Sequence, residues 1–141
     1  MRKLEIDANG IRTSKYPRCE DPDPEQVELC RRWLRLHAEP RKSVNRTVSS
    51  YGLKHFVEDW TRTLGQSFDQ VDPWGRAWTG DYLYVSNGAF IAAAIEEGYR
   101  ILRCGPDSPN AFLNISFGPA RRREEDLSAR LALTGSRTAQ A

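Results

Sequence analysis

Apolar side chains recur along this chain with two different periods. Val27, Cys30, Leu34 and Ala38 form one row, and Leu29, Trp33 and Leu36 widen it, which is the spacing of one buried helical face. Asp23 stands at the N-cap position, Pro24 suits the first helical position, Gln26 completes a capping-box pattern, and Pro40 ends the helix. Leu53, Phe56, Val57, Trp60 and Leu64 predict a second helix, begun by Ser49 or Ser50 and stopped by Gly65. A third helix is expected from Ala89 to Glu97, capped by Ser86-Asn87-Gly88 and closed by Gly98. Its residues Phe90, Ile91, Ala92, Ala93, Ala94 and Ile95 are apolar around most of the circumference, so it belongs inside the protein.

The second period is two. Leu4 and Ile6 alternate with charged residues, Asn9-Gly10 is a strong tight-turn signal, and Ile11 and Thr13 resume the alternation. Residues 3–16 thus read as a hairpin or as a polar N-terminal arm, ended by Pro17 and by Asp21-Pro22-Asp23-Pro24. Short strands are expected at Tyr82–Val85, Tyr99–Arg103 and Ala111–Phe117, the last two joined through Gly105-Pro106-Asp107-Ser108-Pro109. Residues 66–81 lack a period and read as a long loop whose Trp74 and Trp78 cover the core. The expected architecture is α+β, with three helices and a small antiparallel sheet that includes a C-terminal β-hairpin. Its divisions are an arm or hairpin over 1–22, one domain over 23–118 and a flexible charged tail over 119–141. The expected core is Leu53, Phe56, Val57, Trp60, Phe90, Ile91, Ile95, Leu113 and Ile115.

Composition narrows the classes. The 141 residues are 39% hydrophobic and 28% charged, and the longest apolar run, Ala89 to Ile95, is far below the roughly 20 residues of a membrane span. The start Met1-Arg2-Lys3-Leu4-Glu5 lacks the apolar stretch of a secretory signal, so a cytoplasmic protein without a membrane partner is expected. Cys19, Cys30 and Cys104 are odd in number and unpaired in spacing, and with His37 and His55 they share no metal-site pattern. Cys30 is expected as a small buried thiol, Cys104 and His55 as a buried thiol and a surface imidazole. The acid pairs Glu58-Asp59 and Glu96-Glu97 are expected to face solvent. Phosphate loops, nucleophile elbows, zinc-protease motifs and dinucleotide glycine runs are missing, so neither catalysis nor a cofactor is expected.

Charge marks one segment. Between residues 31 and 55 stand Arg31, Arg32, Arg35, Arg41, Lys42, Arg46 and Lys54 against Glu39 alone, an excess that would attract a polyanion. Arg31, Arg32 and Arg35 are expected on a solvated helix face. Arg41 to Val48 reads as a basic loop leading to the start of the second helix. There Ser49 and Ser50, the first backbone amides, Arg46, Lys54 and His55 together form a candidate phosphate site, with Arg41 and Lys42 close by and Tyr51 placed to lie against a sugar or base. Removing Arg46 and Lys54 is expected to weaken nucleic-acid binding and leave stability nearly unchanged.

Three helices, a basic stretch and a C-terminal hairpin over about residues 25–117 resemble the winged helix-turn-helix of DNA-binding proteins. The third helix has no Arg, Lys or Gln from Ala89 to Glu97, so on this resemblance contact falls to the second helix or the hairpin. Three segments, Ser50-Tyr51-Gly52-Leu53-Lys54-His55, Val85-Ser86-Asn87-Gly88-Ala89-Phe90-Ile91 and Pro109-Asn110-Ala111-Phe112-Leu113-Asn114, resemble pieces of small accessory proteins of phages, plasmids and integrated elements. That resemblance implies a regulator or inhibitor. The expected function is non-enzymatic nucleic-acid binding, and the alternative is a protein-interaction module that blocks a host protein complex.

Overall fold

The computed structural model describes residues 4–67, the side chains of 63–67 excepted, and residues 84–116. The chain begins with a hairpin of β1 (Ile6–Asp7) and β2 (Gly10–Ile11). Ile6 pairs with Ile11 and Asp7 with Gly10, so the turn is Ala8-Asn9, one residue earlier than the expected Asn9-Gly10. Contacts outside the hairpin explain the shift. The Ile11 amide donates to the Pro109 carbonyl at 2.9 Å, and a Cβ on Gly10 would lie 2.2 Å from that same oxygen. Gly10 also has φ +128°, a backbone angle that L side chains rarely adopt. Ile11 is buried against Ile91 and Ala111, so this short hairpin contributes to the core.

Helix α1 (Pro24–His37) begins as its sequence dictates, with the Asp23 carboxylate accepting from the Glu25 amide at 2.8 Å. The capping box does not close on itself, because the Gln26 amide oxygen instead accepts from the Ser86 amide at 3.0 Å. Leu29, Cys30, Trp33 and Leu34 are buried, and His37 is enclosed between Trp33 and Trp60 with ring centroids 5.6 and 5.5 Å away. Burial pushes the Cys30 thiol well up, and the nearby Glu58 carboxylate adds to the effect.

The expected basic loop is a strand over its first half. Strand β3 (Glu39–Asn45) pairs antiparallel with β5 (Ala111–Ser116), Glu39 opposite Ser116 and Pro40 opposite Ile115, then Asn45 opposite Leu113. Five steps along β3, from 40 to 45, face two along β5, from 115 to 113, so residues 41–44 bulge out of the ladder. The buried Asn114 fills this irregularity, donating from Nδ2 to the Arg41 carbonyl at 2.9 Å and accepting the Arg100 amide at 2.7 Å. No local period announces such a bulge, because its stabilising amide lies some seventy residues away.

Helix α2 (Ser50–Ser67) buries Leu53, Val57 and Trp60 and runs through Gly65, which does not stop it. Helix α3 (Asn87–Glu96) is capped by Ser86, whose hydroxyl accepts from the Ala89 amide at 3.1 Å, and the Glu97-Gly98 turn ends it. Phe90 and Ile91 are fully buried as expected, but Ile95 is 44% exposed at the open end of the helix, and Phe56 is only partly buried. Strands β4 (Ile101–Arg103) and β5 (Ala111–Ser116) form the C-terminal hairpin, and the three-stranded sheet has the order β3-β5-β4. The fold is thus α+β: the described residues form three helices and two small antiparallel sheets. Tyr84 and Val85 carry no strand pairing. Tyr82, Leu83, Trp74, Trp78, Phe117 and the expected tail over 119–141 lie outside the described residues, as does most of the 66–81 segment. No described helix is long and apolar enough to cross a membrane.

Candidate nucleic-acid interface

The seven cations of residues 31–55 separate into two groups in three dimensions. Arg31 reaches Glu97 at 2.8 Å and Glu96 at 3.5 Å, and Arg35 grips both Glu97 oxygens, at 3.0 and 2.9 Å. Arg32 faces Glu28 at 3.6 Å with the expected four-residue spacing. The arginine face of α1 is therefore largely an ion-pair seam to the end of α3, and Glu97, its side chain 15% exposed, is no solvent-facing acid. The two arginines hold its carboxyl below the usual carboxylate range, Arg35 chiefly, although burial opposes them. The same contact raises the Arg35 guanidinium.

Lys54 is also withdrawn. The sequence places it and Glu58 on the wet face of α2, yet they are 5% and 3% exposed and pair at 3.3 Å. A lysine this near the start of a helix would ordinarily be wet, but the chain before α3 passes over it. The Glu58 carboxylate accepts the Val85 amide at 2.9 Å, Tyr84 places its ring centroid 4.9 Å from the Lys54 ammonium, and the Tyr51 centroid lies 5.1 Å away. His55 stays half exposed, its Nδ1 3.0 Å from Glu58 and its ring edge-on to Tyr51 at 4.8 Å. Cys104 lies in the β4–β5 connection, away from these partners; it is only partly buried, and that burial raises its thiol.

Ser50 is the second correction. Its hydroxyl donates to the Asn87 side-chain oxygen Oδ1 at 2.7 Å and accepts the Ala111 amide at 3.0 Å, both buried, so it is committed to the fold. Ser49 is half buried, and its carbonyl accepts from the Leu53 amide as α2 begins. The expected cradle of cap hydroxyls, Lys54 and His55 is thus not assembled: two of its polar members are occupied.

Three of the seven cations remain exposed and unmatched by any described carboxylate: Arg41, Lys42 and Arg46. Arg41 and Lys42 lie in the β3 bulge. The Arg41 guanidinium folds onto the Ser43 and Val44 carbonyls at 3.0 and 3.3 Å, which braces the bulge from outside. Arg46 occupies a turn set by Asn45, whose side-chain oxygen accepts from the Thr47 amide at 3.0 Å and the Thr47 hydroxyl at 2.6 Å. Its guanidinium lies 5.9 Å from the Phe112 ring centroid on β5. Arg100, exposed and far outside the basic run of the sequence, joins this group by donating to the Lys42 carbonyl.

At the start of β5 is a cavity of about 390 Å3 bordered by Tyr16, Tyr51, Tyr84, Lys54, Asn9 and Asn110. Asn87 stands at its back and ties four segments together: Nδ2 reaches the Asn9 carbonyl at 2.8 Å, the Pro109 carbonyl at 3.2 Å and the Asn110 side-chain oxygen at 3.0 Å, while Oδ1 holds Ser50. In sequence Asn87 reads as part of a cap and Tyr84 as a strand residue, and Tyr16 carries no signal. The one clue is that Asn-Gly at 9–10, Asn-Gly at 87–88 and Pro-Asn at 109–110 are three polar turn signals, and sequence separation says nothing of their meeting. Among the described residues no group of three or more His, Cys, Asp or Glu side chains converges as metal ligands do. No family model, no curated protein and no solved structure matches the chain.

Proposed function

We propose that this is a non-enzymatic nucleic-acid-binding protein, a regulator of the kind carried by mobile elements, that contacts phosphates through Arg41, Lys42, Arg46 and Arg100. The observation that carries this reading is the sorting of the basic segment. Arg31, Arg32, Arg35 and Lys54 meet carboxylates, whereas the cations of the β3 bulge and the following turn are exposed and meet no carboxylate among the described residues. Cations held by a braced backbone but left unpaired suit phosphate contact, which relies on point charge and on counterion release rather than on a shaped pocket. The retained order of three helices and a C-terminal hairpin supports the reading by likeness to winged helix-turn-helix modules, and only at the level of fold. Because α3 is buried and carries no cation, the contact surface is the sheet edge and the turn before α2, not a helix laid in a groove.

Titration of random-sequence DNA at two salt concentrations tests this. Wild-type protein is expected to bind with a steep salt dependence, and the pair Lys42→Ala and Arg46→Ala to lower the salt slope by about two units, roughly 0.9 for each phosphate that is no longer neutralised. Both residues are exposed, so thermal stability should change by no more than about 0.5 kcal/mol for each. Absence of binding at low salt overturns the reading and favours the protein-interaction alternative, for which the outer edge of β3 offers a strand-pairing surface.

A further inference from the structure

We infer that the tyrosine-bordered cavity seats one unstacked base of a single strand whose phosphates lie on the Arg41, Lys42 and Arg46 group. This deepens the nucleic-acid reading and rests on it. Tyr16, Tyr51 and Tyr84 come from three separate segments, the chain after β2, the first turn of α2 and the approach to α3, yet all border one cavity while 46%, 51% and 60% exposed. Aromatic rings that serve only the core are normally covered, and three wet ones converging on a concavity form a stacking surface. The volume, about 390 Å3, lies within the range of roughly 300–1,000 Å3 typical of small-ligand sites.

The polar border suits the edge of a base. The Asn110 side-chain oxygen accepts from Asn87, and that bond orients the amide so that its Nδ2 is the end left to donate. The Asn9 side chain is exposed on the same border, while its backbone is fixed by the Asp7 carboxylate at 2.9 Å and by Asn87. Both amides thus present hydrogen-bonding groups on a backbone that is already anchored, and little ordering cost remains on binding.

Charge sets which side the strand occupies. From the cavity border at Asn110, β5 leads directly through Ala111 to Phe112, the ring beneath Arg46. On the other side of Tyr84 lies a cleft of about 560 Å3 bordered by Glu20, Asp21 and Asp23, which repels phosphate. A strand can therefore place its backbone toward Arg46 and insert a base, but cannot continue past Tyr84. A paired base inside a duplex cannot reach a pocket of this kind without being flipped out of its stack, so a single strand should bind more tightly than its duplex.

The experiment compares one random-sequence oligonucleotide, single-stranded and annealed, against the full chain and its variants by fluorescence anisotropy, with nucleoside 5′-monophosphates titrated separately. Expected are tighter binding of the single strand, a loss of about five- to 100-fold on that strand for Tyr51→Ala or Tyr84→Ala, near-normal binding for the Tyr→Phe variants, and an unchanged salt slope. Saturable monophosphate binding that Tyr51→Ala removes is the second supporting result. Circular dichroism of each variant separates loss of binding from loss of fold. Equal affinity for the two forms, with Tyr→Ala variants of full affinity, overturns the cavity inference and leaves the phosphate surface standing. If no oligonucleotide binds, the proposed function falls, and lack of any monophosphate binding then overturns the cavity inference as well.

Discussion

Lys54 and Glu58 illustrate how a single pair of residues changes meaning between sequence and structure. Four residues apart on α2, they have the spacing of an ordinary surface pair worth a few tenths of a kcal/mol. Buried as they are, removal of one partner leaves the other charge uncompensated, a loss of about 3–5 kcal/mol in comparable cases. Lys54→Ala should therefore lower the melting temperature sharply, in contrast to Lys42→Ala or Arg46→Ala, and thermal denaturation of the three variants side by side is the check. Near-identical melting for all three would show that the Lys54 ammonium is effectively solvated. Loss of nucleic-acid binding in a Lys54 variant, taken alone, would then report on folding as much as on contact, so a double variant of Arg46 and Lys54 is a poor probe of the site.

At the scale of elements, α1 and α3 are joined by burial of Trp33 against Phe90, centroids 6.1 Å apart, and by the Arg31, Arg35 and Glu97 seam at the end of α3. Because Glu97 has a carboxyl held below the usual range in the folded protein, its contribution is present at neutral pH. It is lost as the pH falls from the usual carboxylate range through the lower folded-state value. Glu97→Gln should lower the melting temperature at neutral pH by roughly 2–5 °C, the equivalent of about 1 kcal/mol in a domain of this size. The difference from wild type should shrink toward zero in acid, and melting curves across that pH interval measure it. A constant difference at all pH values would assign the effect to packing rather than to charge.

Across the whole molecule, the N-terminal hairpin is fastened to α3 by an absence of side chain. A Cβ on Gly88 would stand 1.7 Å from the Asp7 carbonyl oxygen, and the Gly88 amide donates to the Ala8 carbonyl at 3.0 Å. Gly88→Ala must push the hairpin off α3, exposing Ile11 and opening the Asn9 side of the cavity. The expected cost is roughly 1–3 kcal/mol, with loss of hydrogen-exchange protection at the Ile11 amide before the rest of the core. Unchanged protection there would mean that the backbone absorbs the methyl group elsewhere. This coupling also explains why a hairpin with two residues per strand is held at all, since isolated hairpins are marginal in water.

What the sequence determined by itself follows from interactions of short reach. The Asp23-Pro24 and Ser86 caps, the apolar faces of α1 and α2, the all-round burial of most of α3, and the alternation of β5 are dictated by residues within a few positions of one another. Those features sufficed for the α+β class. The tertiary structure alone decided which cations stay exposed, because each of Arg31, Arg35 and Lys54 is neutralised or enclosed by groups on another element or by the chain ahead of α3. It also decided that residues 39–45 are a bulged strand, since the ladder partner and the Asn114 amide that completes it come from the far end of the chain. The cavity is of the same kind: its tyrosines and asparagines are polar residues of separate segments, and hydrophobic periodicity, which records only the contrast between inside and outside, carries no information on which segments meet.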